Sequence, residues 1–323
     1  MLYLLTGGGA MQPLKSCRKN SPLYGWRQGP YLLGLALAMA SYPLSAASIV
    51  DHLPQERGSR PTVFAYEYAS TDTAQHSAES LAALLQQSGF PGFAEDFVST
   101  AALRESLLTA DRHALKLQAL WFEINVDDGA GALMPLRDAI PLLKGRDTVL
   151  WMAFASRSHQ LPTRETDSAL LAVLREAADL ARANSLRVAL YPHAGFYIER
   201  VEDAMRIANR LDRRNVGVTF NLCHWLKTDG RDLDATLRLA MPRLFLVTIN
   251  GADSDGTDWG TLIQTLDRGT YDVGLVVGRL AELGYKGPIG IQHWGIRGDV
   301  HDTLRHSMAG WRSIADRAIG GTR

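Results

Sequence analysis

Short apolar runs alternate with amphipathic runs from about residue 62 to the end of the chain. Runs that are apolar throughout are typical of parallel strands buried on both faces. They predict eight strands, at Thr62–Glu67, Gly92–Asp96, Leu117–Ile124, Thr148–Phe154, Arg187–Tyr191, Val216–Asn221, Leu244–Asn250 and Pro288–His293. Between these strands apolar residues recur at intervals of three and four, which predicts amphipathic helices. The predicted helices span residues 77–88, 98–113, 133–144, 167–184, 199–212, 232–240, 272–284 and 302–317.

Strands that alternate regularly with helices are typical of an α/β protein with a parallel sheet. Eight such units in one segment favour a (β/α)8 TIM barrel. An open doubly wound sheet is the alternative, but that fold usually has a glycine-rich loop after its first strand. Here the first predicted strand runs into Glu67-Tyr-Ala-Ser-Thr, which is not glycine-rich. We find no repeat, low-complexity tract or linker, so the sequence predicts a single barrel domain over 48–323.

The first 47 residues differ in composition from the rest of the chain. They contain four basic residues and no Asp or Glu, followed by an apolar run over 31–40 and small residues at Ser45 and Ala47. This order predicts a secretory signal peptide over 1–47. The long basic region favours Met11 as the true start. Because the apolar run is about half of the ~20 residues that span a bilayer, we expect no stable membrane anchor and an exported protein, periplasmic if the source is Gram-negative.

Charge and cysteine content narrow the range of partners. The chain has 34 basic and 34 acidic residues, so loss of residues 1–47 leaves a net charge of −4. Nucleic-acid binding normally needs a basic face, and no nucleic-acid partner is predicted. Cys17 leaves with the signal peptide, and Cys223 alone cannot form an internal disulfide.

Polar and aromatic side chains concentrate where the predicted strands end. In a TIM barrel the carboxyl ends of the strands carry the active site. The candidate catalytic residues are His193, His224, Glu67 and Glu123, because imidazole and carboxylate groups move protons. The candidate substrate-binding residues are Tyr191, Asn221, Asn250, Gln292, His293, Trp225 and Trp294, since amides hydrogen-bond hydroxyl groups and aromatic rings stack on sugars. Trp259 and Phe196 are further aromatic candidates for stacking.

The second half of the chain resembles a known family. The segments Val188–Gly195, Val216–His224, Leu244–Gly251 and Gly284–Gln292 are similar to the xylose-isomerase-like sugar isomerases and epimerases. The resemblance implies a TIM barrel that acts on a small-molecule sugar or sugar derivative. The reactions that it implies are isomerisation, epimerisation, dehydration or lyase chemistry, with a keto-sugar or glycoside as substrate.

The resemblance also implies a divalent cation, which family members hold with Glu, Asp, His and Glu after strands five to eight. The corresponding positions are Tyr191, Asn221, Thr248 and Gln292, and only the His of the family's Asp-x-x-His motif is retained, as His224. Neutral side chains do not replace carboxylates as ligands of a hard cation. We therefore expect no metal at the family position. A relocated imidazole site for zinc or a similar ion, from His193, His224 and His293, is left open.

Two functions are consistent with this interpretation of the sequence. The first is an exported carbohydrate-processing enzyme that uses acid–base chemistry without the family's metal site. The second is a carbohydrate-binding barrel that lost catalysis together with its metal ligands. A carboxylate–histidine pair within hydrogen-bond reach would favour the enzyme.

Overall fold

Eight parallel strands form a closed barrel in a computed structural model that describes residues 61–72, 74, 76–158, 164–228 and 230–318. Each strand pairs with the next one along the chain, and the last pairs with the first, as in the register Tyr66 opposite Gln292. The strands are β1 (Val63–Tyr66), β2 (Gly92–Asp96), β3 (Lys116–Asn125), β4 (Val149–Ala155), β5 (Arg187–Leu190), β6 (Val216–Asn221), β7 (Leu244–Ile249) and β8 (Ile289–Gln292). The predicted (β/α)8 TIM barrel is confirmed.

The helices of the described residues surround this barrel. They are α1 (Ala78–Ser88), α2 (Thr100–Arg112), α3 (Met134–Leu143), α4 (Arg164–Ala183), α5 (Val201–Leu211), α6 (Leu222–Thr228), α7 (Leu233–Ala240), α8 (Trp259–Leu262), α9 (Val273–Glu282) and α10 (Val300–Ala318). Two 3₁₀ segments, Val126–Leu133 and Met241–Arg243, complete the described helical structure. Side-chain caps fix several starts: the Ser77 hydroxyl accepts from the Ser80 amide, and Asp232 accepts from the Ala235 amide.

Strand alternation divides the barrel side chains into two sets. The outward set, which includes Leu120 and Ile249, packs against the helices in the main hydrophobic core. The inward set is rich in aromatic residues, and the Trp151 ring lies 5.9 Å from Phe64, 5.2 Å from Tyr66 and 5.3 Å from Tyr191. These rings fill the barrel interior, so the barrel is a packed core and chemistry is confined to its mouth.

Gly290 on β8 leaves space for the Phe64 ring inside the barrel. A Cβ atom on Gly290 would lie 2.6 Å from the Phe64 ring. A side chain at this position therefore requires Phe64 to move, and the glycine is a packing requirement of the aromatic interior.

Two short helices were not predicted from the sequence. Helix α6 begins at Leu222, directly after β6, so His224 lies in a helical turn rather than on the short loop expected. Helix α8 has four residues and is capped by Asp258, whose side chain accepts from the Gly260 and Thr261 amides. Both helices are too short for a 3.6-residue periodicity to be visible in the sequence.

The predicted signal peptide over 1–47 lies outside the described residues, so its cleavage and the export of the protein stay predictions. Among the described helices, none combines the length and apolarity needed to cross a membrane.

Candidate active site at the barrel mouth

The carboxyl ends of the strands bring three groups of side chains to the barrel mouth. Carboxylates lie at or near the ends of β1, β2 and β3, and two imidazoles follow β5 and β6. The loops after β7 and β8 contribute indole rings. The fully buried rings of Trp151 and Tyr191 fill the barrel interior next to these groups.

Glu67 directly follows β1 and has a strained backbone. Its φ angle is 51°, in the left-handed region that non-glycine residues rarely adopt. Such strain persists only where surrounding contacts enforce it, and it concentrates at functional sites. The Gln292 side chain at the end of β8 hydrogen-bonds the Glu67 carboxyl. Burial, followed by the nearby charge of Asp96, raises the pKa of Glu67 from 4.5 to about 8.

Asp96 ends β2 and forms a second carboxyl group beside Glu67. The Tyr66 hydroxyl donates to Asp96 Oδ1 at 3.0 Å. Reduced hydration raises the pKa of Asp96 although its side chain reaches solvent at the rim, and the charge of Glu123 acts in the same direction. Sequence analysis missed Asp96. Strand alternation could have identified it, because Ala94 and Asp96 both face inward on β2, as Trp121 and Glu123 do on β3.

His193 and His224 lie side by side across the mouth, with ring centroids 4.1 Å apart. His193 Nδ1 lies 3.0 Å from the Ala194 carbonyl oxygen, which only accepts, so this nitrogen carries the proton. The Ala194 amide donates to His224 Nδ1 at 3.3 Å, so this nitrogen carries none. In the neutral state the two rings are therefore opposite tautomers: Nε2 of His193 is an acceptor and Nε2 of His224 is a donor.

Both imidazoles are held in the neutral form. Burial lowers the pKa of His193 to about 4. Burial, together with the neighbouring His193, lowers the pKa of His224 well below its usual value. A neutral imidazole with a fixed N–H can polarise a carbonyl without carrying charge. In the described part of the mouth, neither ring is hydrogen-bonded to a carboxylate, so the carboxylate–histidine pair that would favour an enzyme is not observed.

The four positions at which the resemblance implies metal ligands, Tyr191, Asn221, Thr248 and Gln292, carry neutral side chains. The Thr248 hydroxyl donates to Asn221 Oδ1 at 3.0 Å, and Asn221 Nδ2 donates to the Pro192 carbonyl at 3.0 Å. The backbone amide of His293 donates to Gln292 Oε1 at 3.1 Å. Burial raises the pKa of Tyr191, so it stays a neutral phenol. No anionic oxygen is present at these positions, and the residues do not fit a divalent cation.

Several predicted site residues have structural roles instead. Asn221 is buried and connects the ends of β5, β6 and β7, so its side-chain amide is engaged within the barrel. Asn250 donates to the Gly251 and Leu262 carbonyls and so fixes the loop after β7. Trp225 donates to the Thr236 hydroxyl and packs on Phe220 outside the barrel.

His293 also points away from the mouth. It is buried, its Nδ1 lies 3.2 Å from the Tyr66 carbonyl oxygen, and its ring faces Phe90 in the outer core. Alternation along β8 turns His293 outward when Gln292 faces inward. His293 therefore does not join His193 and His224 in a three-imidazole metal site. Cys223 is fully buried, which raises its thiol pKa to about 12 and makes it a poor nucleophile.

An aromatic cleft lies beside His224. The Trp259 ring lies 5.4 Å from His224 and 6.1 Å from Trp294. Trp259 and Trp294 line a cleft of about 770 Å³ between the loops that follow β7, β8 and β1. The volume is in the range of small-molecule sites, and 43% of the Trp294 surface is exposed.

The fold and this mouth define a TIM barrel of the α/β class whose polar groups lie at the carboxyl ends of its strands. The sequence model of the family described as xylose isomerase-like TIM barrel matches residues 143–314. The chain therefore belongs to the xylose isomerase-like TIM barrel family. No curated protein sequence matches it significantly.

Solved structures share this fold at low sequence identity. A xylose isomerase-like TIM barrel/4-hydroxyphenylpyruvate dioxygenase fusion protein is 14% identical over 80% of this chain, with a TM-score of 0.65, and the match spans 43% of that protein. A xylose isomerase-like protein from Mycobacterium smegmatis, solved in complex with magnesium, is 16% identical over 80% of this chain and 98% of its own, with a TM-score of 0.62. The E. coli 3-keto-D-glucoside 4-epimerase YcjR, in apo form, is 16% identical over 79% of this chain and 100% of its own, with a TM-score of 0.64.

Proposed function

We propose that this chain is an exported carbohydrate-processing enzyme that moves a proton at the carbon next to the carbonyl of a keto-sugar. The observation that carries the proposal is Glu67, a strained carboxyl residue at the barrel mouth whose pKa is raised to about 8. A carboxyl group with a pKa near the working pH exists in both protonation states and can serve as base and acid in turn.

The opposite wall supplies the group that such a reaction needs on the carbonyl oxygen. The carboxylate of Glu67 takes the proton from carbon, and the electron pair of that C–H bond moves onto the carbonyl oxygen as an enolate. Nε2–H of His224 donates to this oxygen, as a neutral imidazole does in other barrels. Return of the proton from Glu67 to the neighbouring carbon, while the hydroxyl proton passes to the former carbonyl oxygen, completes an isomerisation. An epimerisation requires a second acid on the opposite face of the enolate. Loss of a β-substituent from the enolate gives a dehydratase or lyase.

A keto-sugar suits this site because its carbonyl already acidifies the neighbouring C–H bond. Less electrophilic help is then required than in a reaction that depends on a divalent cation. The name of the E. coli relative, a 3-keto-D-glucoside 4-epimerase, is in keeping with this class of substrate. The acid-free segment over 1–47 supports export, with action in the periplasm if the source is Gram-negative.

The alternative is a carbohydrate-binding barrel without catalysis. Two observations favour it. The Thr248 hydroxyl donates to the Asn221 side chain, so these two groups bind each other. In the described part of the mouth, no carboxylate is hydrogen-bonded to an imidazole. The raised pKa and the strain of Glu67 favour the enzyme, because a binding surface gains nothing from a carboxyl group held near neutrality.

The test is exchange of substrate hydrogen with solvent deuterium. Keto-hexoses and 3-keto-glycosides are incubated with the purified protein in D₂O, and NMR follows loss of the C–H signal next to the carbonyl. The parent is expected to exchange at least one of these substrates, and Glu67→Gln to lower its rate by about 10²- to 10⁴-fold. Glu105→Gln is the control, since it makes the same substitution at an exposed position on α2. Sugar binding without any exchange in the parent supports the alternative.

A further inference from the structure

The cleft beside the two indole rings is bordered by unpaired positive charge. Arg268, in the loop after β7, and Arg297, in the loop after β8, both contribute to its wall, which contains no Asp or Glu in the described part of the chain. Neither guanidinium forms an ion pair with a described side chain. Arg305 and Arg279, by contrast, pair with Asp302 and Asp234. Arg104 and Arg175 are also unpaired among the described residues, but they lie on the outer helices α2 and α4 and not beside a cleft.

The acidic residues near Arg268 and Arg297 in the sequence, Asp267 and Asp299, interact with other groups. Asp267 accepts from the Thr265 hydroxyl at 2.7 Å and pairs with His306 at 2.6 Å. Asp299 accepts from the Asp302 amide at 3.1 Å, at the start of α10. The two guanidinium groups therefore have no counter-charge within the cleft, and each retains donors arranged for an oxyanion.

The loop that carries Arg268 is held by backbone contacts. Gly251 and Gln264 exchange hydrogen bonds of 3.1 and 2.8 Å, and the Tyr271 amide donates to the Ala252 carbonyl at 2.9 Å. Gly269 has a φ of 91°, and a Cβ atom there would lie 2.2 Å from the Ala252 carbonyl oxygen. Arg268 is thus presented from an ordered segment, which lowers the entropy cost of binding.

We propose that the cleft is an anion subsite in which Arg268 and Arg297 bind a carboxylate or phosphate of the substrate while Trp259 and Trp294 contact its sugar ring. The inference rests on the proposed function in taking a sugar as the ligand. It adds that the substrate is an acidic sugar, a uronate or a sugar phosphate, rather than a neutral one. In TIM barrels generally, the loops after the seventh and eighth strands are a frequent place for anion binding.

Binding calorimetry on the full chain tests the subsite with glucose, glucuronate and glucose 6-phosphate. We expect at least one anionic sugar to bind tenfold or more tightly than glucose, and the stronger of the two identifies carboxylate or phosphate as the group recognised. The double variant Arg268→Gln/Arg297→Gln is expected to lose this preference. The matched control, Arg104→Gln/Arg175→Gln, removes the same charge from exposed positions on α2 and α4 and is expected to retain it.

Equal affinity for glucose and both anions, or no binding of either anion, overturns the proposal. So does an equal loss of affinity in the control variant, because the effect is then one of net charge alone. The readout is separate from catalysis. Anion preference without deuterium exchange in any substrate contradicts the enzyme and leaves the subsite standing, whereas rapid exchange of neutral keto-sugars without anion preference contradicts only the subsite.

Discussion

Replacement of Glu67 by Gln should make the protein more stable at alkaline pH while it removes the proposed base. The folded state raises the pKa of Glu67 from 4.5 to about 8, so it holds this proton more tightly than the unfolded chain does. The stability associated with the protonated group is fully present below pH 4.5 and is lost as the pH rises through 8. A neutral Gln at this position does not titrate and keeps the hydrogen bond with Gln292.

The size of the stability difference follows from the pKa shift of Glu67. A rise from 4.5 to about 8 corresponds to an upper limit of about 5 kcal/mol of folding free energy once the group is ionised. Glu67 is partly exposed and its charge is shared with Asp96, so solvent screening reduces this to about 1–2 kcal/mol.

Urea unfolding followed by tryptophan fluorescence measures this difference. The parent and Glu67→Gln should have similar unfolding free energies at pH 4.5, and the variant should be more stable by about 1–2 kcal/mol at pH 9. The control Glu105→Gln, at an exposed position on α2, should differ from the parent by less than about 0.5 kcal/mol at both pH values. If Glu67→Gln is equally or less stable than the parent at pH 9, the ionised Glu67 carboxylate does not destabilise the folded protein, and the reasoning is refuted.

Three further predictions follow from the site and the sequence. The double variant Asn221→Asp/Gln292→Glu should bind Mn²⁺ in a calorimetric titration, whereas the parent should not. Micromolar binding of manganese or zinc by the parent through Tyr191, Asn221 and Gln292 would show that neutral side chains at these positions still hold a cation. The rate of deuterium exchange should rise with pH to a plateau above about 8, as ionised Glu67 accumulates, and a rate that falls over this range would assign Glu67 as an obligatory acid instead. Mass spectrometry of protein recovered from the periplasm of a Gram-negative host should show cleavage near Ala47-Ser48, whereas an intact, membrane-bound chain would exclude export by a cleaved signal.

The strands of the barrel were predictable because each is a compact apolar run. The predicted and observed bounds of β2 and β6 coincide, and the ends of the other strands differ by at most one residue. Parallel strands that are buried on both faces leave a strong hydrophobic signal in the sequence. Short elements leave no such signal, so α6 and α8 were missed.

The chemistry of the mouth was only partly predictable. Glu67, His193 and His224 could be placed there because each follows a strand. The opposite tautomers of the imidazoles depend on one carbonyl and one amide of the loop at Ala194, which no residue pattern reveals. The partnership of Asp96 with Glu67 depends on the pairing of β1 with β2 in the closed barrel.

Adjacent polar residues were the main source of wrong assignments. Gln292 and His293 are neighbours in sequence, yet one reaches Glu67 and the other lies against Phe90. Trp225 was expected to stack on a sugar, but the turn of α6 directs it into the outer core. Side-chain direction at the end of a strand depends on where the strand stops, and a one-residue difference reverses it.

In the proposed mechanism, proton transfer depends on Glu67 and not on a cation at the family position. The most direct test is the rate of deuterium exchange in protein that has been treated exhaustively with a chelator, measured in parallel for the parent and Glu67→Gln. The parent is expected to keep its exchange rate after chelation, and Glu67→Gln is expected to lose exchange with or without added Mn²⁺. Exchange that disappears on chelation, returns with Mn²⁺ and survives in Glu67→Gln would contradict this mechanism.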